Sequence, residues 1–172
     1  MLLETQRLVI RELTLEDAPF FFELVNDPDW IRFIGDRNVQ TVDDAKDYLQ
    51  NRIFKSYEES GFGFYAVVLK SSNEVMGISG FVKRDELEHV DVGFAFLPKG
   101  RGKGYAFEST EALMNYGVKT FNFQKVLAIA NNDNEPSHHL LKKLGFTFEK
   151  YVKLHDEEDE ISLFSFINAA MG

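Results

Sequence analysis

The sequence has no cysteine, one tryptophan and four prolines in 172 residues. Without cysteine there can be no disulfide, no thiolate metal site and no thiol nucleophile, and nothing in the composition asks for an oxidising compartment. Positive charge is scarce too: 19 Lys and Arg stand against 28 Asp and Glu, a formal net charge of -9. That balance argues against a partner held by overall phosphate attraction, so no nucleic acid is expected, and it suits a positively charged substrate. Long apolar runs are missing as well. The opening MLLETQRLVIREL carries charge by its fourth residue, so neither a signal peptide nor a membrane span is expected, and a cytoplasmic setting is.

What is present is an ordinary apolar fraction, 44%, with 17 Phe, enough for one sizeable core in one domain spanning 1–172. Alternation of Leu8, Ile10 and Glu12 with Arg7, Val9 and Arg11 predicts a first strand, and Thr14 can cap a helix over 15–26 that Asp27-Pro28 ends. A second helix fits 41–60, with Ala45, Leu49, Ile53 and Tyr57 along one face. Three strands joined by short polar turns follow, FYAVVL, VMGISGF and HVDVGFAFL, an antiparallel meander. After a glycine loop come a helix near 105–120, the strand KVLAIA, a helix over 136–144 stopped by Gly145, and the strands FTFEKY and ISLFSF. The expected fold class is α+β with a mixed sheet.

The loop is the informative stretch. FAFLPKGRGKGYAF, 94–107, runs from a strand through three glycines into a helix, and it gathers Lys99, Arg101 and Lys103 in an acidic chain. Backbone without side chains leaves the first helical N–H groups open to an anion. A tight turn with solvated cations is the plain alternative. A nucleoside triphosphate loop would need Ser or Thr after Gly102-Lys103, where Gly104 stands, and a dinucleotide loop would need a glycine at Tyr105 or Phe107 and a βαβ setting.

R-G-K-G-Y-A at Arg101 to Ala106 resembles the acetyl-CoA pyrophosphate loop of the GNAT N-acetyltransferases, R/Q-x-x-G-x-G/A. NDNEPSHHLLKKLGF, 132–146, is similar to the family's second signature, and the element order is similar over nearly the whole chain. ETQRLVIREL, NDPDWIRFIG and D-V-G-F look most like the branch holding ribosomal-protein N-terminal acetyltransferases.

The resemblance implies a mostly antiparallel sheet of six or seven strands with about four helices, and acetyl-CoA as cosubstrate without a metal. It implies the diphosphate on the amides of Gly102, Lys103, Gly104, Tyr105 and Ala106 with Arg101 at its edge, and pantetheine on the main chain of Phe94 and Phe96 and on Asn134. Direct attack of an amine on the thioester would use Asp91 as base, itself or through water, and Ser137 or water as the acid, because the Tyr that many members use is here Leu141. Trp30, Phe33 and Phe62 would border the acceptor pocket. The acceptor would be a protein N-terminus, ribosomal above all, or a polyamine, amino acid or antibiotic amine, and the protein a monomer or homodimer. A non-catalytic acyl-CoA sensor is the reading from another class.

Each residue also has a plainer role. Asp91 can be a solvated acid at a strand end, Asn134 or Glu135 a helix cap with Pro136 in the first turn, and the three aromatics ordinary core. Glu108 fits a helix-dipole acid. Period two puts Val90, Val92, Phe94 and Phe96 on one face, opposite His89, Asp91, Gly93 and Ala95, and Gly93 could allow the bulge with which the family splays this strand. The four histidines show no metal spacing, with His89 or His138 the ones that could touch substrate, and the acidic run from His155 to Glu160 is a solvated hairpin or a collector of cationic amines.

Overall fold

The computed structural model describes residues 1–154 and 159–168. A short hairpin of β1 (Leu3–Glu4) and β2 (Leu8–Glu12) opens it. Thr14 then accepts and returns capping bonds with Asp17 around a 3-10 turn that leads into α1 (Ala18–Val25). Asp27-Pro28 ends that helix as expected and also starts another, α2 (Pro28–Phe33). Asp27 is its cap, accepting from the Asp29 N–H at 3.1 Å, with proline in the first turn where its missing N–H costs nothing.

The long helix expected over 41–60 is α3 (Val42–Tyr48) and α4 (Phe54–Ser60) joined by a π turn at Leu49–Ile53. Its apolar residues are spaced uniformly by four, and such a row drifts around a helix of 3.6 residues per turn; the wider turn takes up the drift. Ala45, Leu49 and Ile53 all stay buried.

The meander follows as β3 (Phe64–Leu69), β4 (Glu74–Val82) and β5 (Asp91–Phe96), then α5 (Tyr105–Phe121), β6 (Lys125–Ala130), α6 (Glu135–Lys143), β7 (Thr147–Val152) and β8 (Ile161–Ile167). The eight strands lie in the order β1-β2-β3-β4-β5-β6-β8-β7. This is the α+β mixed sheet expected, with the two-residue β1 and the helix α2 added.

All pairs are antiparallel except β5 with β6, which run parallel and share a single register pair, Asp91 opposite Leu127. Leu127 N–H donates to the Val90 carbonyl at 2.8 Å, and beyond that rung the strands part. No bulge at Gly93 causes the splay: β4 and β5 pair without interruption from Gly77–Phe96 to Val82–Asp91, and the register shifts lie between β3 and β4 and between β7 and β8 instead.

Helices cover both faces. α1, α3 and the π turn after it bury Phe21, Leu24, Ala45, Leu49 and Ile53 against Ala66, Val68 and Ile78. α5 and α6 bury Leu113, Met114 and Leu141 against Val92, Val126, Ala128 and Phe164. Gly80 sits where two strands come closest, since a Cβ there would lie 2.0 Å from the Gly63 carbonyl oxygen and 2.8 Å from Phe64 Cα. The obstruction is main chain of residues 63–64, which cannot yield cheaply, so Gly80→Ala is expected to cost about 2 kcal/mol and lower the melting temperature by about 4–8 °C in a thermal scan.

Candidate active site

Where β5 and β6 diverge, the gap widens into a cleft of about 1460 Å³. One wall is the loop between β5 and α5. It makes a 3-10 turn at Pro98–Gly100, takes left-handed φ at Gly102 (+74°) and Gly104 (+85°), and enters α5 at Tyr105. The first bond of α5 runs from Glu108 N–H to the Gly104 carbonyl at 3.0 Å. The N–H groups of Tyr105, Ala106 and Phe107 therefore have no acceptor in the helix, and all three residues border the cleft.

Arg7 holds the loop from behind. Its Nη1 donates to the Lys103 carbonyl at 2.8 Å, its Nε to Glu108 at 2.7 Å, and its guanidinium lies 4.7 Å above the Tyr105 ring. Glu108 also accepts from Thr5 Oγ1 at 2.5 Å and from the Arg7 N–H at 3.0 Å. Partial burial pushes its carboxyl up, but these donors outweigh that and hold it below its ordinary range. Glu108 is thus committed to tying the N-terminal hairpin to α5, outside the cleft lining.

The three loop cations are not equivalent. Lys99 pairs with Glu74 at 2.8 Å, and Arg101, expected at the edge of the diphosphate, turns its guanidinium to Asp27 at 2.6 Å and Asp29 at 2.9 Å. Arg101 Nε donates to the Phe96 carbonyl at 3.0 Å. Lys103 has no ion pair among the described residues.

The second wall is the open edge of β5. Leu97 N–H bonds β4 at Met76, and the Val90 carbonyl bonds β6, so the alternation of the ladder turns the main-chain groups of Phe94 and Phe96 toward the gap. Side chains alternate as expected: Val90 and Val92 pack under α5, while Ala95 lies on the face of α1 and α3.

Asp91 stands at the apex of the gap, on that second face, and it is 1% exposed. It is not a solvated strand-end acid. Arg84 Nε donates to its two oxygens at 3.1 and 3.3 Å. Burial pushes the carboxyl up to about 6 against the opposing pull of that guanidinium. An acid so placed is ionised above neutrality and half protonated near pH 6, the range in which a carboxylate can take a proton and give it back.

Across the cleft, Asn134 caps α6, its Oδ1 accepting from the Ser137 N–H at 3.4 Å. The capping role is therefore real, and both residues also border the cleft, as does Leu141, which is buried. Trp30 and Phe33 border it from α2. Trp30 packs edge-on to Phe21, and its Nε1 is the one side-chain polar atom among the described residues that is buried without a partner. Phe62 does not reach the cleft. Its ring is enclosed edge-on by Phe81, Phe121 and Phe123, so it is core.

The histidines also sort differently. His139 borders the cleft, whereas His138 Nε2 bonds the Asn131 carbonyl at 2.9 Å and packs edge-on to Phe164, and His89 is exposed outside the cleft. No group of three His, Cys, Asp or Glu among the described residues could hold a metal ion. Of the acidic run, 155–158 lie outside the described residues, His155 included, while Asp159 and Glu160 are at the rim.

Sequence reasoning missed Arg84, Arg37, Tyr48 and Lys153, all of which border the cleft. Arg84 carried one usable signal: a cation in the turn before β5 can reach back to the only acid on that strand.

The model of the acetyltransferase (GNAT) domain matches residues 7–147. The uncharacterized N-acetyltransferase YnaD of Bacillus subtilis is 29% identical over 153 residues, 89% of this chain and 86% of that protein. Spermidine N(1)-acetyltransferase of Escherichia coli is 25% identical over 144 residues, 81% and 73% of the two chains. Among solved structures, the ribosomal-protein-S5-alanine acetyltransferase of Vibrio fischeri shares the fold, with a TM-score of 0.77 at 19% identity over 97% and 96% of the two chains.

Proposed function

The chain belongs to the GNAT family of N-acetyltransferases, and from that premise we propose that it moves an acetyl group from acetyl-CoA to a primary amine by direct attack in a ternary complex. The observation that carries this reading is the conjunction of unpaired amides at the start of α5 with an open β5 edge, both lining one cleft with a buried acid at its apex.

These residues fit the donor. The amides of Gly102 to Ala106 would receive the diphosphate, with Lys103 supplying charge, and the main chain of Phe94 and Phe96 would pair with pantetheine as an added strand. Asn134 can meet the pantetheine arm while still capping α6. Asp91 would accept the ammonium proton, directly or through water, and Ser137 or water would return one to the departing thiolate. Trp30 and Phe33 would wall the acceptor, and a cytoplasmic setting is part of the same reading.

Two acceptor classes remain in the proposal. Branch resemblance in ETQRLVIREL, NDPDWIRFIG and D-V-G-F points to a protein N-terminus, and the spermidine-acetylating relative supports a small polyamine. The test is release of free CoA thiol with spermidine, free amino acids and an alanine-initiated peptide supplied in turn. Turnover with one of them is expected. Tight acetyl-CoA binding without turnover on any amine would leave a non-catalytic acyl-CoA sensor, and absence of binding would remove the reading altogether.

A further inference from the structure

The cleft has a roof whose fastening runs through the donor loop. At its first turn α2 is tied to the end of β5, because Asp27 and Asp29 hold two nitrogens of Arg101 and the third bonds the Phe96 carbonyl. At its last turn it is tied to the end of β6, where Asn131 Nδ2 donates to the Phe33 carbonyl at 3.1 Å and Arg32 pairs with Asp133 at 3.2 Å. Between these ties stand Trp30 and Phe33, facing the gap that the two strands leave open.

The two ties differ in quality. Arg32 and Asp133 are both more than 60% exposed, and such pairs contribute little. The Asp27 carboxylate is only 10% exposed and also caps the helix, so the fork of Arg101 meets a carboxylate already fixed in place.

We propose that Arg101 is a positioning residue for the acceptor wall: it fastens α2, and with it Trp30 and Phe33, to the strand that would carry the donor, and it is not a grip on the donor's phosphates. This rests on the reading of the cleft as a joint donor and acceptor site. All three guanidinium nitrogens are engaged, two by carboxylates at the start of α2 and one by the main chain of β5, which is the work of a brace. The backbone amides beyond it remain free for the anion.

Trp30 is the only tryptophan, so its emission reports on α2 directly. Asp27→Asn weakens the fastening while keeping Arg101, and the double variant Arg101→Gln/Asp27→Asn removes the pair without changing net charge. In both, acrylamide quenching of Trp30 is expected to rise by about threefold as the wall loosens. The Kd of CoA, titrated by calorimetry, is expected to stay within about threefold of the unaltered protein.

A weakening of CoA by about tenfold or more in the double variant would make Arg101 a phosphate grip and overturn the proposal. So would a Trp30 that stays shielded in both variants. Because Asp27 is also a helix cap, Asp29→Asn, at an exposed carboxylate, provides a milder variant should Asp27→Asn fail to fold, with quenching again expected to rise. If the unaltered protein binds no CoA, the proposed function falls while the quenching arm still decides whether Arg101 braces α2.

Discussion

Exchanging Asp91 for asparagine is expected to lower kcat by about 100-fold to 10,000-fold, the usual contribution of a positioned base, while acetyl-CoA binding stays nearly constant. Asn has the same shape and no basicity, so the loss isolates proton transfer from packing. In the unaltered protein the rate should fall on the acid side of about pH 6, where the buried carboxyl takes up a proton, and the variant's residual rate should lack that limb. An effect under threefold with the limb intact would move the base elsewhere, to a water or another group.

The same substitution separates activity from stability. The folded-state pKa of Asp91 lies above its ordinary 3.8, so the folded chain holds this proton more tightly than the unfolded one. The stabilisation due to neutral Asp91 is complete below about pH 4 and is lost as pH rises to about 6, after which it is constant. Asp91→Asn should remove that decline and melt no lower than the unaltered protein at pH 8. An acid kept ionised in a dry place costs stability that its neutral isostere gives back.

Replacing Gly104 with valine is expected to weaken CoA by about 100-fold, read by calorimetry, with little change in the sheet. Gly104 has φ +85°, a conformation that costs an L residue about 1–2 kcal/mol and a β-branched one more. Its Cβ would stand 3.2 Å from Arg7 Nη2, so relief by a small shift is opposed by the very side chain that holds Lys103 and Glu108. The loop must leave the left-handed region, and the amides of Tyr105 and Ala106 turn with it. Retention of CoA within threefold would mean that those amides are not the anion site.

The sequence showed the sheet well because each central strand alternates cleanly between two buried faces and each turn is polar. It concealed α2, since Asp27-Pro28 reads as a helix stop and six residues opening on that proline are short for a helix of their own, and the capping role of Asp27 is recognisable only once Asp29 is known to bend back to it. Glycines between a strand and a helix made the loop with open amides legible. The destinations of Arg101 and Arg84 were not, because Arg101 pairs with carboxylates more than 70 residues earlier and Arg84 with a carboxylate seven residues on that burial, not spacing, makes dependent on it. Phe62 failed as a pocket residue for a related reason: aromatic character marks burial, and only the packing of Phe81, Phe121 and Phe123 says on which side of α5.

Parting β5 from β6 gives one sheet four edges where most have two. Unpaired strand edges are templates for intermolecular pairing, and proteins blunt their outer ones with charge or brevity, as the two-residue β1 does here. Neither device is used inside the gap, where the proposed function would need the main-chain groups of β5 exposed. The wedge itself supplies the protection: its walls share a single rung and then part, so a foreign strand cannot pair with both along its length, and α2 lines the opening. A gap that would admit one thin, flexible chain is a poor template for the flat ribbon of another protein, so the opening can remain unpaired without nucleating aggregation.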